Sequence, residues 1–311
     1  LTELVNQQIA PLQDKIEGLL TSADSLFAGV SNVMNYETQS NLKAILGGLD
    51  TSIANINILS SSMIRILETN EKGFKDLLTK LYSFGFAVIT DCKRDMSSVE
   101  FVAKKIGYVR NSIFGGLWSF ESNADMADSA YTNEELRPHT DSTYSNDAPG
   151  LQLLLCCDYD AKGGDSIMVD GLKIAETIKK EDQQMYDLLT KINVKGNYIG
   201  DGVFLEAERP IFKLNKNNEI IQVSFNNYDR APFRFEKDLT LKFYEAIKKF
   251  DLLANNKDYQ WRHILKPGEL LIFNNWRILH GRGSFSGVRK MSGCYINKED
   301  FDSSCKMNGI N

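Results

Sequence analysis

Two short segments far apart in the chain carry side chains that could bind one metal ion together. His139 and Asp141 lie in the segment HTDSTY, and His280 lies in the segment WRILHGR. Two imidazoles and one carboxylate form the facial ligand set that holds Fe(II) and leaves coordination positions open for reactants. We therefore interpret His139, Asp141 and His280 as candidate metal ligands and as the centre of a candidate catalytic site.

The spacing of these residues suggests how they would meet. Side chains alternate along an extended backbone, so a step of two residues places His139 and Asp141 on the same side. A third ligand must then come from a different element, and His280 follows the apolar run ELLIFNNWRIL, which reads as a strand. A bare H-x-D also occurs by chance around a surface histidine, so the rest of the chain must decide between the two interpretations.

Composition excludes some classes of partner and bears on the compartment. The net charge is −5 and no basic run is present, so neither nucleic acid nor an acidic membrane is indicated as a partner. No apolar run approaches the length of a bilayer span. The five cysteines form no C-x-x-C motif, which is typical of packed thiols in a reducing compartment. We expect a cytoplasmic protein, with the mitochondrial matrix as the alternative.

Residues 1–70 have a heptad pattern. Apolar residues recur at alternating steps of four and three, as in Val5, Ile9 and Leu12 and again in Leu42, Leu46 and Leu49. This rhythm predicts two helices that pack on each other or on a partner chain, as a helical hairpin or coiled-coil arm. We expect this segment, which could also be a fusion, to serve as a spacer or to make the protein a homo-oligomer.

Residues 71–311 read as a second, catalytic domain that is mainly β with helical insertions. LQLLLCC, ELLIFNN and KMSGCYIN are predicted strands, and SSVEFVAKKIG is a predicted helix with Ser98 as its N-cap. Many short strands with a few covering helices favour a double-stranded β-helix, or jelly roll. A doubly wound sheet is disfavoured because strands and helices do not alternate and no glycine-rich phosphate loop follows a strand.

From Glu71 to Asn311 the chain resembles the TauD/TfdA-like Fe(II)/2-oxoglutarate dioxygenases. The similarity rests on the strings FGGLWSF, DSAYTN, HTDSTY, GLQLLLC, GGDSIMVDG, NNYDRAPF and KPGELLIFNNWRILHGRGSFSGVRKMSGCYIN, in the order of that family. Within the family it is similar to the enzymes that act on trimethyllysine and gamma-butyrobetaine. Those enzymes usually carry a zinc-binding module ahead of the barrel. Residues 1–70 hold no Cys or His, so we expect the heptad arm in its place.

The resemblance implies a role for each candidate residue of the catalytic centre. His139, Asp141 and His280 would bind Fe(II), and ascorbate would keep the iron ferrous. Arg289 and Ser166 would hold the far carboxylate of 2-oxoglutarate, because a guanidinium can pair with a carboxylate through two hydrogen bonds. Arg282 and Lys290 lie nearby and are the alternatives to Arg289.

The resemblance also assigns the substrate side of the site. The implied substrate-binding residues are Trp118, Asp128, Tyr131 and Asn226. A trimethylammonium group donates no hydrogen bond and is held by aromatic faces, which Trp118 and Tyr131 would provide. Asp128 would add negative charge, and Asn226 would bind the polar end of the substrate. Phe114 stands where the family often has Tyr, and Tyr144 fits either this cage or the core.

The function implied is hydroxylation of N6,N6,N6-trimethyllysine at C3, the first step of carnitine biosynthesis, with dioxygen and 2-oxoglutarate as co-substrates. One alternative is the hydroxylation of gamma-butyrobetaine or of another quaternary-ammonium substrate. A second alternative is an oligomeric scaffold whose barrel is inactive. Residue patterns cannot measure the length of a substrate pocket, so these alternatives remain open at this stage.

Overall fold

The computed structural model describes residues 71–121, 133–200 and 202–310. The predicted arm of residues 1–70, and the candidate residues Asp128 and Tyr131, lie outside these ranges, and the domain boundary near residue 70 stays a prediction. In chain order the strands are β1 (Phe86–Ile89), β2 (Val109–Arg110), β3 (Leu117–Glu121), β4 (Leu136–His139), β5 (Leu151–Gly163), β6 (Ser166–Asp170), β7 (Asn193–Gly200), β8 (Val203–Pro210), β9 (Phe212–Leu214), β10 (Ile220–Val223), β11 (Gln260–His263), β12 (Leu270–Asn274), β13 (Ile278–Arg282) and β14 (Phe285–Ile296). The α-helices are α1 (Glu71–Phe84), α2 (Met96–Ile106), α3 (Gly171–Glu181), α4 (Gln183–Lys191), α5 (Lys237–Ala254) and α6 (Lys298–Met307).

Two antiparallel sheets carry the site. In the described residues the larger sheet has the strand order β1-β12-β5-β14-β2, and β3 also pairs with β14. The smaller sheet has the order β11-β6-β13-β4. In its register His280 of β13 lies opposite Met168 of β6 on one side and opposite His139 of β4 on the other. The two candidate histidine ligands are therefore neighbours across a strand pair.

Side-chain alternation divides the apolar residues into layers. Along β12, Leu270 and Ile272 point into a cluster on the outer side of the larger sheet, whereas Leu271 and Phe273 point inward. The inward side chains share a cluster with Met168 of the smaller sheet, so the two sheets face each other across an apolar layer. Fully burying a side chain of this size contributes about 1.5–3 kcal/mol. The layer fixes the separation of the two sheets.

Helices cover the outer faces of both sheets. Leu77 of α1, Val99 of α2 and Phe301 of α6 belong to the cluster on the larger sheet. Ile174 of α3 and Phe243 of α5 belong to a second cluster, which covers the smaller sheet. Two sheets with a shared inner layer and helices outside form the predicted jelly roll with helical insertions, and the predicted fold class is confirmed for the catalytic domain.

The start of α2 corrects one prediction. The helix begins at Met96, and the side chain of Asp95 accepts a hydrogen bond from the backbone N–H of Ser97 at 2.9 Å. Asp95 is therefore the N-cap, whereas Ser98, which the sequence suggested, is buried in the first turn. Both residue types satisfy the free N–H groups of a helix start, so type alone does not choose between them.

The cysteines agree with the prediction of packed thiols. Each of the five is buried and forms no disulfide. Cys156 belongs to the layer between the sheets and Cys157 to the outer cluster of the larger sheet, as expected of adjacent residues in a strand. Among the described helices none has the length and apolarity needed to cross a bilayer.

Candidate metal centre and cavity

Two adjacent strands and one loop bring the three candidate ligands together. His139 is the last residue of β4, and His280 lies on β13 with the same inward orientation as Ile278 and Arg282. Asp141 follows β4 by two residues, as the H-x-D spacing requires. The Nε2 atom of each imidazole lies 3.5 Å from Oδ1 of Asp141, and the ring centroids are 4.4 Å apart. These three side chains offer ligand atoms that all lie within 4.8 Å of one another.

Hydrogen bonds orient two of these side chains. Nδ1 of His139 lies 2.8 Å from the carbonyl oxygen of Arg137, so we infer that Nδ1 carries the proton and that Nε2 presents its lone pair to the centre. The hydroxyl of Tyr295 donates to Oδ2 of Asp141 at 2.9 Å, which leaves Oδ1 facing both imidazoles. A ligand whose outer atoms are bonded in this way keeps one orientation.

The backbone at Asp141 is held by a buried amide. Oδ1 of Asn275 accepts a hydrogen bond from the N–H of Asp141 at 2.8 Å, and its Nδ2 donates to the carbonyl of Asp141 at 3.2 Å and to that of Pro149 at 3.0 Å. Only 1% of Asn275 is exposed. The loop that carries Asp141 is therefore fixed at the backbone as well as at the carboxylate.

The environment favours the protonation states that metal ligands need at His280 and Asp141, whereas at His139 a metal ion would have to compete with a proton. Burial lowers the pKa of His280 to about 4, against the charge of Asp141, so its imidazole is neutral at neutral pH. Burial alone would raise the pKa of Asp141, but the charge of His280 and the hydrogen bond and charge of His139 outweigh it and lower that pKa. For His139, burial would lower the pKa, but the hydrogen bond and charge of Asp141, with help from Asp229, raise it. A metal ion binds neutral imidazole and ionised carboxylate.

The candidate 2-oxoglutarate residues lie on the same cavity as the three ligands. Ser166 is 4% exposed and lies opposite Arg282 in the register of β6 and β13. Arg289 of β14 is 6% exposed and lines the cavity, and its guanidinium makes no hydrogen bond or ion pair to another described residue. Burial lowers the pKa of Arg289, and burial together with the charge of Arg289 lowers the pKa of Arg282 to about 10. Two buried cations close together favour an anionic ligand.

The two alternatives to Arg289 differ in whether they line the cavity. Lys290 is exposed and does not line the cavity. Arg282 does line it, and one of its nitrogens donates to the carbonyl of Glu134 at 2.6 Å. The structure therefore retains Arg282 beside Arg289 and removes Lys290 from the candidates.

An aromatic wall lines the cavity near the three ligands. The ring of Trp118 stacks on Phe120 and lies against Tyr295, with centroids 5.6 Å apart in each case. Phe114 lines the same cavity. Tyr144 is 7% exposed, and its ring packs at 5.1 Å from that of Tyr198, so it belongs to both the wall and the core. The predicted partners Asp128 and Tyr131 lie outside the described residues.

Asn226 lines the cavity, but its amide already makes hydrogen bonds within its own loop. Nδ2 donates to Oδ2 of Asp229 at 2.9 Å, and Oδ1 accepts from the backbone N–H of Tyr228 at 2.8 Å. In this structure the residue orients Asp229, which also lines the cavity. A direct role in binding the substrate stays a prediction.

Several residues of the site were not identified from the sequence, namely the cavity residues Tyr198, Tyr228, Asp229 and Tyr295, and Asn275, which holds the backbone at Asp141. They lie on loops, on an outlying two-stranded sheet or late in β14, and none has ligand-like spacing. Tyr295 could have been identified from strand alternation. It lies six residues after Arg289 on the same strand, and an even spacing places both side chains on one face of the sheet. The remaining histidine, His263, lies 2.8 Å from Oε2 of Glu269 and does not line the cavity.

Comparisons with known proteins agree with this geometry. The family model described as taurine catabolism dioxygenase TauD, TfdA family matches residues 64–295. A trimethyllysine dioxygenase from Meyerozyma guilliermondii is 37% identical over 239 residues, covering 75% of this chain and 60% of that protein. The mitochondrial trimethyllysine dioxygenase of Homo sapiens is 31% identical over 250 residues, covering 78% of this chain and 59% of that protein. The chain thus spans about 60% of the length of these relatives.

A solved structure agrees with the fold. An asparagine oxygenase in complex with Fe(II), 2S,3S-3-hydroxyasparagine and succinate superposes with a TM-score of 0.60 at 15% identity, covering 74% of this chain and 80% of that one. At this identity the likeness concerns the fold alone. The family model, by contrast, matches most of the sequence through β14, including both metal-ligand segments. The chain therefore belongs to the TauD/TfdA dioxygenase family.

Proposed function

We propose that this protein is an Fe(II)- and 2-oxoglutarate-dependent dioxygenase that hydroxylates trimethyllysine at C3. The observation that carries the proposal is the convergence of two imidazole Nε2 atoms on one oxygen of Asp141, in a cavity that the buried cation of Arg289 also lines. The two relatives described above bear the name of this activity, which supports the choice of substrate. The product, 3-hydroxy-trimethyllysine, would enter carnitine synthesis.

The residues present fit a divalent metal ion. His139, Asp141 and His280 would hold Fe(II), because two neutral nitrogen ligands and one carboxylate on one side of the ion match its facial ligand set. The hydrogen bonds from Tyr295 and to Arg137 would keep the ligand atoms turned toward the centre. When bound, Fe(II) with 2-oxoglutarate supplies the oxidising chemistry of the reaction.

The cavity also fits a dicarboxylate. Arg289 would pair with the far carboxylate of 2-oxoglutarate, and the hydroxyl of Ser166 would donate a second hydrogen bond. Arg282 would add positive charge from the neighbouring strand. In the overall reaction dioxygen and 2-oxoglutarate are consumed. One oxygen atom enters a C–H bond of the substrate, the other enters succinate, and carbon dioxide leaves.

The protein would contribute position and an apolar surrounding on the substrate side. Trp118 and Phe114 line the cavity with aromatic rings, which suit a trimethylammonium group. The cage role of Tyr131 and the negative charge of Asp128 beside it remain part of this proposal, because the resemblance implies them. Reduction by ascorbate, a homo-oligomeric state and a cytoplasmic location are also proposals. The human relative is named mitochondrial, which favours the matrix as the alternative compartment.

The test is product formation by the purified protein. We expect succinate and 3-hydroxy-trimethyllysine, detected by mass spectrometry, when the protein is incubated with Fe(II), 2-oxoglutarate and trimethyllysine in air. His139→Ala should abolish both products, whereas His263→Gln is the matched control because His263 pairs with Glu269 away from the cavity. Equal, near-zero rates in the wild-type protein and in His139→Ala would favour the alternative of an inactive scaffold.

The rival substrate is tested in the same assay. Gamma-butyrobetaine is shorter than trimethyllysine and lacks the α-amino group. We expect a higher kcat/KM with trimethyllysine. A higher value with gamma-butyrobetaine would retain the dioxygenase chemistry and would make the substrate assignment wrong.

A further inference from the structure

Asp229 is a carboxylate on the cavity wall to which the proposed reaction gives no role. Asp229 lines the same cavity as His139, Asp141 and His280. It is close enough to His139 for its charge to act on the imidazole. It follows β10 on a loop that reaches the β7–β8 hairpin, whereas Trp118 comes from β3 of the larger sheet. Asp229 and the aromatic wall thus come from different parts of the fold.

Hydrogen bonds fix the orientation of this carboxylate. Its Oδ2 accepts from Nδ2 of Asn226 at 2.9 Å and from Oγ1 of Thr143 at 3.2 Å. Its backbone carbonyl accepts from the N–H of Asn197 on β7 at 2.9 Å, which anchors the loop. Three elements therefore hold a negative charge at one place on the wall. Such preorganisation is expected of a group that binds a ligand and is not needed for a solvated charge.

Trimethyllysine carries two cationic groups that differ in hydrogen bonding. The trimethylammonium group has no N–H and is recognised by aromatic faces. The α-ammonium group has three N–H donors and is recognised by oriented acceptors, most strongly by a carboxylate. The cavity offers an aromatic wall at Trp118 and an oriented carboxylate at Asp229. Each cation has a chemically matched partner.

Resting on the proposed function, we propose that Asp229 binds the α-ammonium group of the substrate and thereby selects an amino acid over a betaine that lacks this group. Asn226 and Thr143 are then positioning residues that act through Asp229. Gamma-butyrobetaine has no α-amino group, so it would gain nothing from this carboxylate. The carboxylate would also make the pocket favour α-amino acids that carry a quaternary ammonium at the far end of the chain.

The experiment compares two substrates in two proteins. The substrates are trimethyllysine and its desamino analogue, which is identical except for the missing α-amino group. The proteins are the wild type and Asp229→Asn, a variant that keeps the size and can still accept hydrogen bonds. We expect Asp229→Asn to raise the KM for trimethyllysine by about tenfold to a hundredfold, the range for losing a hydrogen bond to a charged group. The KM for the analogue should change less than twofold.

A binding measurement separates this role from a structural one. Titration calorimetry without oxygen, with Fe(II) and 2-oxoglutarate present, gives the Kd of each compound in each protein. We expect the ratio of the two Kd values to fall toward one in Asp229→Asn. If Asp229→Asn raised the Kd of both compounds by the same factor, the role of Asp229 would be structural and the proposal would be overturned. Thermal unfolding checks that the variant is folded, and Asp229→Glu, which keeps the charge, should recover part of the discrimination.

Two further variants sharpen the result. Glu208→Gln loses the same charge at an exposed position off the cavity and should leave the ratio unchanged. Asp128→Asn tests the other carboxylate assigned to the substrate side. If only Asp128→Asn loses the discrimination, the role given to Asp229 is wrong. If the wild-type protein turns over neither compound, the proposed function itself fails, whereas an active wild type with unaltered discrimination in Asp229→Asn overturns only this inference.

Discussion

At the scale of single residues, Arg289 is the most informative side chain. A guanidinium that is 6% exposed would ordinarily be paired with a carboxylate, because burying a lone charge is costly. Arg289 makes no such pair with another described residue, and it lines the cavity that holds the three candidate metal ligands. The binding of an anion to Arg289 would offset the free energy that is lost when its guanidinium is buried.

Replacement of Arg289 by Ala should raise the concentration of 2-oxoglutarate needed for half-maximal rate. Truncating one partner of a buried, hydrogen-bonded charge pair typically costs about 2–5 kcal/mol. The change should appear in the KM for 2-oxoglutarate much more than in the KM for trimethyllysine, both measured by succinate release. Lys290→Ala is the control, since Lys290 is exposed on the adjacent position of the strand. An unaltered KM for 2-oxoglutarate would transfer the anchoring role to Arg282.

The buried cysteines should be chemically inert in the native protein. Burial raises the pKa of Cys294 to about 12, and burial with the charge of Asp91 does the same for Cys92. Burial also raises the pKa of Cys305 to about 11. Thiols react as thiolates, so iodoacetamide at pH 8 should leave these residues unmodified until denaturant is added. Peptide mass spectrometry measures the modification, and an exposed cysteine introduced by Ser286→Cys is the positive control.

The same shifts give the sign of one pH effect. Because these pKa values lie above the ordinary 9.0, the folded state favours the neutral thiol. Their contribution to the free energy of unfolding is complete below pH 9 and is lost as the pH rises from 9 toward 12. Denaturant unfolding of the wild type and of Cys294→Ala should show a smaller loss of stability with rising pH in the variant. Parallel curves would contradict this.

At the scale of elements, the alternation of side chains along strands places much of the site. On β13, Ile278, His280 and Arg282 share the inward face, and on β14 Arg289 and Tyr295 do so as well. Alternation thus places a metal ligand, two cations and a hydroxyl on facing sheets without any loop having to bend into the interior. Sites built on strands hold their geometry better than sites on loops.

One glycine on β14 is required for the aromatic wall. Gly293 lies opposite Trp118 in the register of β14 and β3, and a Cβ at this position would come inside van der Waals contact with the indole ring and the carbonyl of Leu153. We expect Gly293→Ala to displace Trp118, to lower the unfolding free energy by about 1–3 kcal/mol, and to raise the KM for trimethyllysine. Thermal unfolding and steady-state kinetics measure these effects.

A variant on the same strand controls for a general effect of added side chains. Ser286→Ala changes an exposed position of β14 and should alter neither the unfolding temperature nor the KM. If Gly293→Ala behaves like Ser286→Ala, the close approach of Trp118 to β14 is unimportant for the site.

The sequence predicted the parts of this site that depend on residue type and short spacing. His139, Asp141 and His280 were identifiable because few residue types bind metal, and the strands were identifiable from apolar runs and alternation. The N-cap of α2 was placed wrongly because Asp95 and Ser98 are both capping types, and only the backbone path chooses between them. Asp229 was missed because its place on the cavity depends on how its loop packs against β7. No local pattern encodes that contact.

At the scale of the whole molecule, every described group of the site lies in the catalytic domain predicted for residues 71–311. Each described cavity residue discussed above lies between Phe114 and Tyr295. From the heptad pattern of residues 1–70 we propose that the barrel carries the chemistry and the predicted arm carries assembly. The domain assignment remains a proposal.

Deletion of residues 1–70 should therefore change assembly more than chemistry. We expect residues 71–311 to bind Fe(II) and to retain kcat within a few-fold of the whole chain, because all three candidate metal ligands lie in this range. The mass in solution, measured by light scattering, should fall if the arm joins copies of the chain. Loss of all iron binding on deletion would contradict this separation.

The amide of Asn275 has a consequence for how the ion and the fold depend on each other. Because it hydrogen-bonds the peptide groups on both sides of Asp141, protein groups hold the loop that carries this ligand, and we expect the ion to be unnecessary for its conformation. Binding then requires no folding, in contrast to small zinc domains that unfold when stripped. Protein treated with a chelator should keep its far-ultraviolet circular dichroism, and adding Fe(II) back should restore activity without a slow refolding phase.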